Sequence, residues 1–226
     1  MTSSLWLALA LLPPPPPAAL PLQDASRPAH EVTVPSFPNA VCPIMGKPIS
    51  AKLFVDTDVG RIWMCCKSCA SKIRDDVAAA DATAYPLATK AENAKCPITG
   101  KPASPGHVVR LQGHEIALCC DDCIKPATDE AQVTLALALD PKLEHVNNAT
   151  CPVTGEPVAK NVICVVDGVL IHLSSARCVD LVKADPVAAV AKARTLVADA
   201  AKTAPTSPVA PTGGSASRPT GEKDGR

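Results

Sequence analysis

Aromatic residues are nearly missing from this chain. Of its 226 residues only five are aromatic (two Trp, two Phe and one Tyr), whereas 24 are proline and 11 are cysteine. Aromatic side chains supply a large share of the buried area in most cores, so this composition does not indicate a single large core. Cysteine can supply stability in their place, as a metal ligand or in disulfides.

The chain also lacks an excess of either charge. Its 22 Lys and Arg balance 22 Asp and Glu, and the sequence contains no basic cluster. Proteins that bind DNA or RNA neutralise phosphates with clustered basic side chains. We therefore expect no nucleic-acid partner, which argues against a DNA-binding zinc finger.

Motifs of catalysis are missing as well. The sequence shows no Ser/His/Asp order, no phosphate-binding loop and no histidine-rich metal constellation. Hydrolases and transferases depend on such arrangements. We therefore expect that the protein is not an enzyme.

The apolar run at the N-terminus is short. Leu5–Leu12 has eight residues, whereas roughly 20 are needed to span a bilayer, and no Lys or Arg precedes it. With the prolines that follow, it predicts an export leader at 1–26 and a periplasmic or secreted mature chain without a transmembrane segment. The alternative is the Pro-rich start of a cytoplasmic protein. The Pro, Gly, Ser and Thr of residues 203–226 predict a disordered tail.

What the chain does have is one motif that occurs three times. Asn-Ala-x-Cys-Pro-[Ile/Val]-x-Gly-x-Pro occupies residues 39–48, 93–102 and 148–157. Counted from the motif cysteine, the offsets +23, +24 and +27 hold Cys65, Cys66 and Cys69 after Cys42, then Cys119, Cys120 and Cys123 after Cys96, but Ser174, Ser175 and Cys178 after Cys151. This regular spacing makes metal binding the first hypothesis.

The spacing of the motifs also predicts the domain organisation. The motif starts lie 54 and 55 residues apart, which predicts three modules at 36–88, 90–145 and 147–202. Units of this size bury too little apolar surface to be secure alone, and many need a metal, a disulfide or a packed neighbour.

Each module has the pattern of a cysteine turn, a β-hairpin and an α-helix, so the predicted fold class is small α+β, stabilised by metal. In the third module Asp167-Gly168 separates two apolar runs, a strong signal for a two-residue hairpin turn. Gln112-Gly113 is the corresponding turn of the second module, and a looser turn is expected at 56–58 in the first. Helices are predicted at 67–80, in a stretch to Leu139 that Pro126 interrupts, and at 175–202, where Pro186 should break or restart the helix.

The predicted helix starts matter for the thiols. Cys69, Cys123 and Cys178 lie near them, and a helix N-terminus lowers the pKa of a cysteine. We therefore expect lowered pKa values for these three thiols, which favours the thiolate that binds metal. A metal held there would join each hairpin to its helix.

Two signatures, the opening Cys-Pro-[Ile/Val]-x-Gly and the junction Cys-Cys-x-x-Cys, give the spacing C-x22-C-x3-C in the first two modules. This pattern resembles the TRASH and YHS families of small metal-binding domains. The resemblance implies three tandem modules of treble-clef or zinc-ribbon type and a role in heavy-metal sensing, trafficking or resistance. The ligands that it implies are Cys42, Cys65 and Cys69, then Cys96, Cys119 and Cys123. Where many relatives carry a further cysteine, this chain has Met45, Thr99 and Thr154.

The identity of a fourth ligand stays open. A closed structural zinc site has four ligands, and adjacent cysteines rarely chelate one ion together, so Cys66 and Cys120 qualify only with an unusual turn. Three soft thiolates suit Cu(I). We expect Zn or Cu(I), about one ion per intact module, with an open position for a ligand from a metal-transfer partner protein.

The third module keeps Cys151 and Cys178 but lacks the junction pair. In the predicted hairpin His172 shares a strand face with Ser174, whereas Cys164 points to the other side. We therefore expect His172 as the substitute ligand, and Cys164 as a small buried apolar residue.

Three functions compete on this basis. The first is an exported, non-enzymatic protein that buffers, senses or relays copper or zinc. The second is a scaffold or interaction protein with structural zinc, which a chelator would unfold. The third is a set of thiol–disulfide redox modules, because vicinal cysteines form disulfides in an oxidising compartment.

Overall fold

The computed structural model describes residues 30–203 and shows a small mixed α+β protein. The leader predicted at 1–26 lies outside the described residues. So does the tail predicted at 203–226, apart from Thr203, which still belongs to the last helix. In the described part of the chain no helix combines the length and apolar character that a membrane crossing requires.

Each module contains a hairpin followed by two α-helices. The first module and the segment before it contain β1 (Val32–Thr33), β2 (Phe54–Thr57), β3 (Gly60–Trp63), α1 (Cys69–Asp75) and α2 (Val77–Ala84). The second contains β4 (Thr89–Lys90), β5 (Ser104–Leu111), β6 (His114–Leu118), a 3-10 turn (Asp121–Cys123), α3 (Ile124–Asp129) and α4 (Ala131–Leu139). The third contains β7 (Glu144–Val146), β8 (Ile163–Val166), β9 (Val169–His172), α5 (Cys178–Ala184) and α6 (Pro186–Thr203).

The hairpin turns predicted in the second and third modules are confirmed. Gln112-Gly113 and Asp167-Gly168 both have positive φ at each position, 48° and 78° in the former and 48° and 82° in the latter. Two positive φ values are what a type I′ turn requires, and this turn matches the twist of the strands. In the third module Ile163 pairs with His172, as the sequence predicted.

The turn predicted at 56–58 in the first module is wrong by one residue. Thr57 pairs with Gly60, so the turn residues are Asp58 and Val59. Gly60 adopts a φ of 107°, a conformation that only glycine takes up readily. The Thr57 hydroxyl donates a hydrogen bond to the Gly60 carbonyl over 2.7 Å, which closes the turn.

Each predicted helix is broken in two. The break falls at Asp76 in the first module, at Glu130 in the second and at Asp185 in the third. Asp76 caps the new helix by accepting a hydrogen bond from the Ala79 amide at 3.0 Å, as short polar side chains at a helix start commonly do. The sequence predicted the third break, from the proline that follows it. The interruption that it predicted at Pro126 is wrong, because Pro126 lies in the first turn of α3 and the chain breaks four residues later.

The segments that connect the modules widen the hairpins. β4 pairs in parallel with β6, and β7 pairs in parallel with β9. β1 stands in the corresponding place before the first module, but it pairs antiparallel with β8 of the third. The N-terminal segment is therefore joined to the last module, in a sheet of order β1-β8-β9-β7.

Helix α4 of the second module lies between its neighbours. Leu135 and Ala138 pack into the core of the second module, whereas Val133 and Ala136 pack against the β8–β9 hairpin of the third. A helix that is apolar on all sides is stable only when it is buried on all sides. The modules therefore share buried surface rather than standing as separate units.

A buried polar junction joins the first and second modules. The Gln112 amide nitrogen of the backbone donates to the Val59 carbonyl at 3.1 Å, and its side-chain oxygen accepts from the Arg61 amide at 3.1 Å. The same side chain donates to the Phe37 carbonyl at 2.8 Å and contacts Gln132 of α4. Such bonds satisfy polar groups that would otherwise be costly to bury.

Candidate metal centres

The asparagine that opens each motif holds the module together. The Asn39 side chain donates to the Val41 and Trp63 carbonyls at 2.7 and 3.1 Å and accepts from the Trp63 amide at 2.8 Å. Asn93 and Asn148 make the same three bonds in their modules. Each asparagine thus ties the cysteine loop to the second hairpin strand 24 residues later. Sequence reasoning missed this role, although the repetition of the asparagine was its signal.

The first cysteine of each module sits in a tight loop. The Cys42 amide donates to the Lys47 carbonyl at 2.8 Å, and the Gly46 amide donates to the Cys42 carbonyl at 2.8 Å. Gly46 has a φ of 64°, so the loop needs a residue without a side chain at that place. The loops at Cys96 and Cys151 have equivalent bonds.

Two groups of three thiols assemble around these loops. The Sγ atoms of Cys42, Cys65 and Cys69 all lie within 4.8 Å of one another, and so do those of Cys96, Cys119 and Cys123. We call these groups the thiol triads. The loop contributes the first thiol, the end of the hairpin the second and the start of the helix the third. Spacings of this size suit soft thiolate coordination of one ion, so both triads could hold a metal.

Cys66 and Cys120 lie beside the triads. The Cys66 Sγ is 3.4 Å from that of Cys69 and 3.9 Å from that of Cys65. The Cys120 Sγ is 3.6 Å from that of Cys123 and 3.7 Å from that of Cys119. The turn that adjacent cysteines need in order to approach one cluster is therefore present in both modules.

The position in which relatives were expected to carry a further cysteine faces the second hairpin strand. The Thr99 hydroxyl lies 3.2 Å from the Cys119 Sγ, and the Thr154 hydroxyl lies 3.0 Å from the Ser174 hydroxyl. In the first module Met45 occupies this position and is half exposed. The second triad therefore has a hydroxyl oxygen at its edge.

The expected pKa lowering at the helix starts is wrong for Cys69 and Cys123. Burial, followed by hydrogen bonds with neighbouring thiols, raises the pKa of Cys69 to about 12 and raises that of Cys123 as well. The helix that begins at Cys69 has only seven residues, so its dipole is too weak to offset the loss of hydration.

The loop cysteines have lowered pKa values, as does Cys66, whose pKa hydrogen bonds with Ser68 and the neighbouring thiols lower to about 7. Burial alone would raise the pKa of Cys42, but hydrogen bonds from the backbone at Cys65, Ile44 and Met45 outweigh it and lower the value to about 7. Cys96 is lowered to about 7 in the same way. Backbone hydrogen bonds therefore lower the pKa of the loop thiols, whereas the helix starts were expected to lower that of the thiols beside them.

The third module does not form a triad. Cys151 and Cys178 lie in one apolar cluster with Cys164, which is fully buried, as predicted. The hydroxyls of Ser174 and Ser175 each lie 3.4 Å from the Cys178 Sγ. Within residues 30–203 such close groups of three metal-ligating side chains occur only in the first two modules.

His172 is not brought to Cys151 and Cys178. Its ring Nε2 lies 2.9 Å from that of His145, on the strand face opposite the cysteine cluster. The alternation of strand faces predicted that His172 and Ser174 lie on the same side, but β9 ends at His172 and the chain bends at Ser174. Burial, with a smaller effect of the neighbouring ring, lowers the pKa of His145 to about 4, and burial lowers that of His172 too.

Comparisons with known proteins gave no match: no family model, no curated protein and no solved structure proved similar to this chain. The resemblance to the TRASH and YHS families stays a prediction. The two thiol triads are therefore the observation from which a function is inferred.

Proposed function

We propose that this protein is a non-enzymatic heavy-metal-binding protein that buffers, senses or relays copper or zinc. The observation that supports it is the repetition of one thiol triad at the same place in two modules. An isolated cluster of cysteines has many explanations, but two clusters built by the same loop, hairpin and helix point to one shared ligand. Treble-clef or zinc-ribbon-like modules of the TRASH or YHS kind, exported to the periplasm or secreted, fit this proposal.

The donor atoms select the class of metal. Thiolates are soft ligands that favour Cu(I) and zinc over the hard cations magnesium and calcium. A triad of protein thiolates leaves one position of a tetrahedral ion for a further ligand. That position suits Cys66 or Cys120 in storage, or a ligand from a partner protein during transfer.

Metal content is the decisive measurement. Protein purified anaerobically without chelator should contain about two zinc or copper ions per chain, measured by elemental analysis together with a free-thiol count. Cys42→Ser and Cys96→Ser should each remove one ion. Cys151→Ser changes the equivalent loop of the third module and should remove none. A wild-type chain without metal, or equal losses in all three variants, would contradict the proposal.

The burial of the triads favours a second candidate, a scaffold with structural zinc. Cys42 is fully buried and Cys69 is 2% exposed, and the metal would join loop to helix. The free energy of metal binding then stabilises the fold, and the metal is not carried to a partner. If a competing thiolate chelator takes the metal while the fold stays intact, relay is supported. If the circular dichroism signal is lost in step with the metal, the scaffold is supported.

A further inference from the structure

A Cys-x-x-Cys pair crosses the hairpin-to-helix junction in both intact modules. Cys66 pairs with Cys69 and Cys120 pairs with Cys123, with Sγ–Sγ distances of 3.4 and 3.6 Å. A disulfide needs the two sulfurs at about 2.05 Å. Small rotations of the side chains are therefore enough to bring the sulfurs to bonding distance.

The backbone at the junction has the geometry that a disulfide requires. The Cys69 amide donates to the Cys66 carbonyl at 3.2 Å, and the Cys123 amide donates to the Cys120 carbonyl at 3.2 Å. A turn closed by such a bond holds its first and last Cα atoms within about 7 Å, and disulfides span about 4.4–6.8 Å between Cα atoms. No rearrangement of the hairpin or the helix is needed.

The two thiols of each pair differ in access to solvent. Cys66 and Cys120 are partly exposed, whereas Cys69 and Cys123 are only 2% and 4% exposed. A dissolved disulfide reaches the exposed thiol first, because attack requires access to the sulfur. The buried thiol is then placed to displace the leaving group.

We propose that each Cys-x-x-Cys pair is a thiol–disulfide switch that releases the metal of its module when it reacts with a low-molecular-weight disulfide such as oxidised glutathione. This inference rests on the proposed function, because Cys69 and Cys123 are also members of the triads. It assigns Cys66 and Cys120 a role that the triads alone leave open.

The reaction is ordinary thiol–disulfide exchange. The Cys66 thiolate attacks one sulfur of oxidised glutathione, so a mixed disulfide forms and one glutathione thiol leaves. The Cys69 sulfur then attacks the Cys66 sulfur and displaces the second glutathione. Two protein thiols are oxidised and one small disulfide is reduced to two thiols. The metal leaves because Cys69 no longer offers a thiolate.

The third module supplies a matched control within the chain. Ser175 stands in the place of Cys66, with the same turn, in which the Cys178 amide donates to the Ser175 carbonyl at 3.0 Å. Its hydroxyl lies 3.4 Å from the Cys178 Sγ. A serine cannot form a disulfide, so this module cannot switch.

The test treats the zinc-loaded full chain with oxidised glutathione and follows zinc with a chromogenic chelator, with disulfides mapped by mass spectrometry. We expect disulfides Cys66–Cys69 and Cys120–Cys123, with one zinc ion released per disulfide. In the double variant Cys66→Ser and Cys120→Ser, zinc release should be slower by about tenfold or more. Release at the wild-type rate, or disulfides between other cysteine pairs, would overturn the switch.

A gain of function tests the geometry alone. Ser175→Cys should form a third disulfide, with Cys178, under the same conditions, and its absence would contradict the geometric argument. If the chain or the double variant binds no zinc, the disulfide map of the metal-free wild-type chain decides the pairing. Failure of metal binding and failure of the switch therefore give different results.

Discussion

The first and third modules have the same loop, hairpin and helix start, but different groups fill their centres. The first encloses three thiols, in a cluster of nine buried residues that includes Cys42 and Cys69. The third has serine hydroxyls in place of the junction thiols, and a cluster of twelve buried residues. It also has the 18-residue helix α6 and the additional strand β1.

This difference shows how a small module keeps its fold when it loses a ligand set. Units of about 55 residues bury too little surface to be secure alone, so a metal or additional packing has to compensate. In the third module Val190 and Ala193 of α6 pack into the cluster that contains Cys151 and Cys178. The corresponding helix of the first module, α2, has eight residues and contributes Ala80 and Ala84 to the cluster. On the proposed function, this module depends more strongly on its triad.

Metal removal should have the largest effect, because it should destabilise the first two modules and leave the third folded. Chelation should unfold the first two hairpins while the third stays folded, since metal binding supplies folding energy on the order of 10 kcal/mol in zinc-finger peptides. Hydrogen exchange resolved by residue measures this, with the β8–β9 amides as the internal control. Equal loss of protection in all three hairpins would show that the modules unfold as one unit.

Truncation of a side chain in the core of the third module should have the next largest effect. Leu173 is fully buried in that cluster, and Leu173→Ala should cost about 3 kcal/mol of unfolding free energy. Leu181→Ala, at a position that is 55% exposed on α5, is the control and should cost less than about 0.5 kcal/mol. Urea titration gives both values. A cost that depends on bound metal would contradict a metal-independent third module.

Loss of the asparagine hydrogen bonds should lower the free energy of unfolding by the same amount in both kinds of module. Asn39→Ala and Asn148→Ala each remove one buried amide side chain and leave three backbone groups without their partner. We expect about 2 kcal/mol in each case, measured by denaturant unfolding of the metal-loaded protein. A much larger cost in one module would show that the shared loop is not equally important.

Mildly acidic pH should have the smallest effect, and the part of it that comes from histidine should be confined to the third module. The folded-state pKa of His145 is about 4, below its ordinary 6.5, because burial and the facing His172 disfavour the charged ring while Glu130 acts in the opposite sense. The unfolded chain thus binds this proton first as pH falls. Stability is full above pH 6.5 and declines from there towards pH 4.

The readout for that pH effect is hydrogen exchange of the β8–β9 amides. His145→Gln removes the titrating ring and should flatten the decline. A decline of the same size in the variant would assign the effect to other groups. Amides of the first two modules are read separately, since proton competition for thiolates also weakens metal sites at low pH.

The parts of the fold that were predicted correctly are local. Asp167-Gly168 and Gln112-Gly113 determine their turns through positive φ values, and each turn sets the pairing of its strands. The cysteine spacing likewise predicted both triads, because a loop, a hairpin and a helix start of constant length return the chain to one point.

The predictions that failed depended on the surroundings of a residue. His172 lies with Leu170 on the face that packs against the second module, and Ser174 does not share this face because β9 ends at His172. The thiol of Cys69 has a raised pKa because burial outweighs a short helix. Neither the end of a strand nor the depth of burial can be read from residue spacing.

The sequence by itself determined the hairpin turns of the second and third modules and the two groups of clustered thiols, since these follow from turn chemistry and from fixed numbers of residues between ligands. Only the tertiary structure decided that β1 joins the last module and that α4 is buried between modules. It also decided which strand face holds His172. These outcomes depend on long-range burial, in which apolar and hydrogen-bonding surfaces pair across more than 100 residues, as between Val32 and Val166.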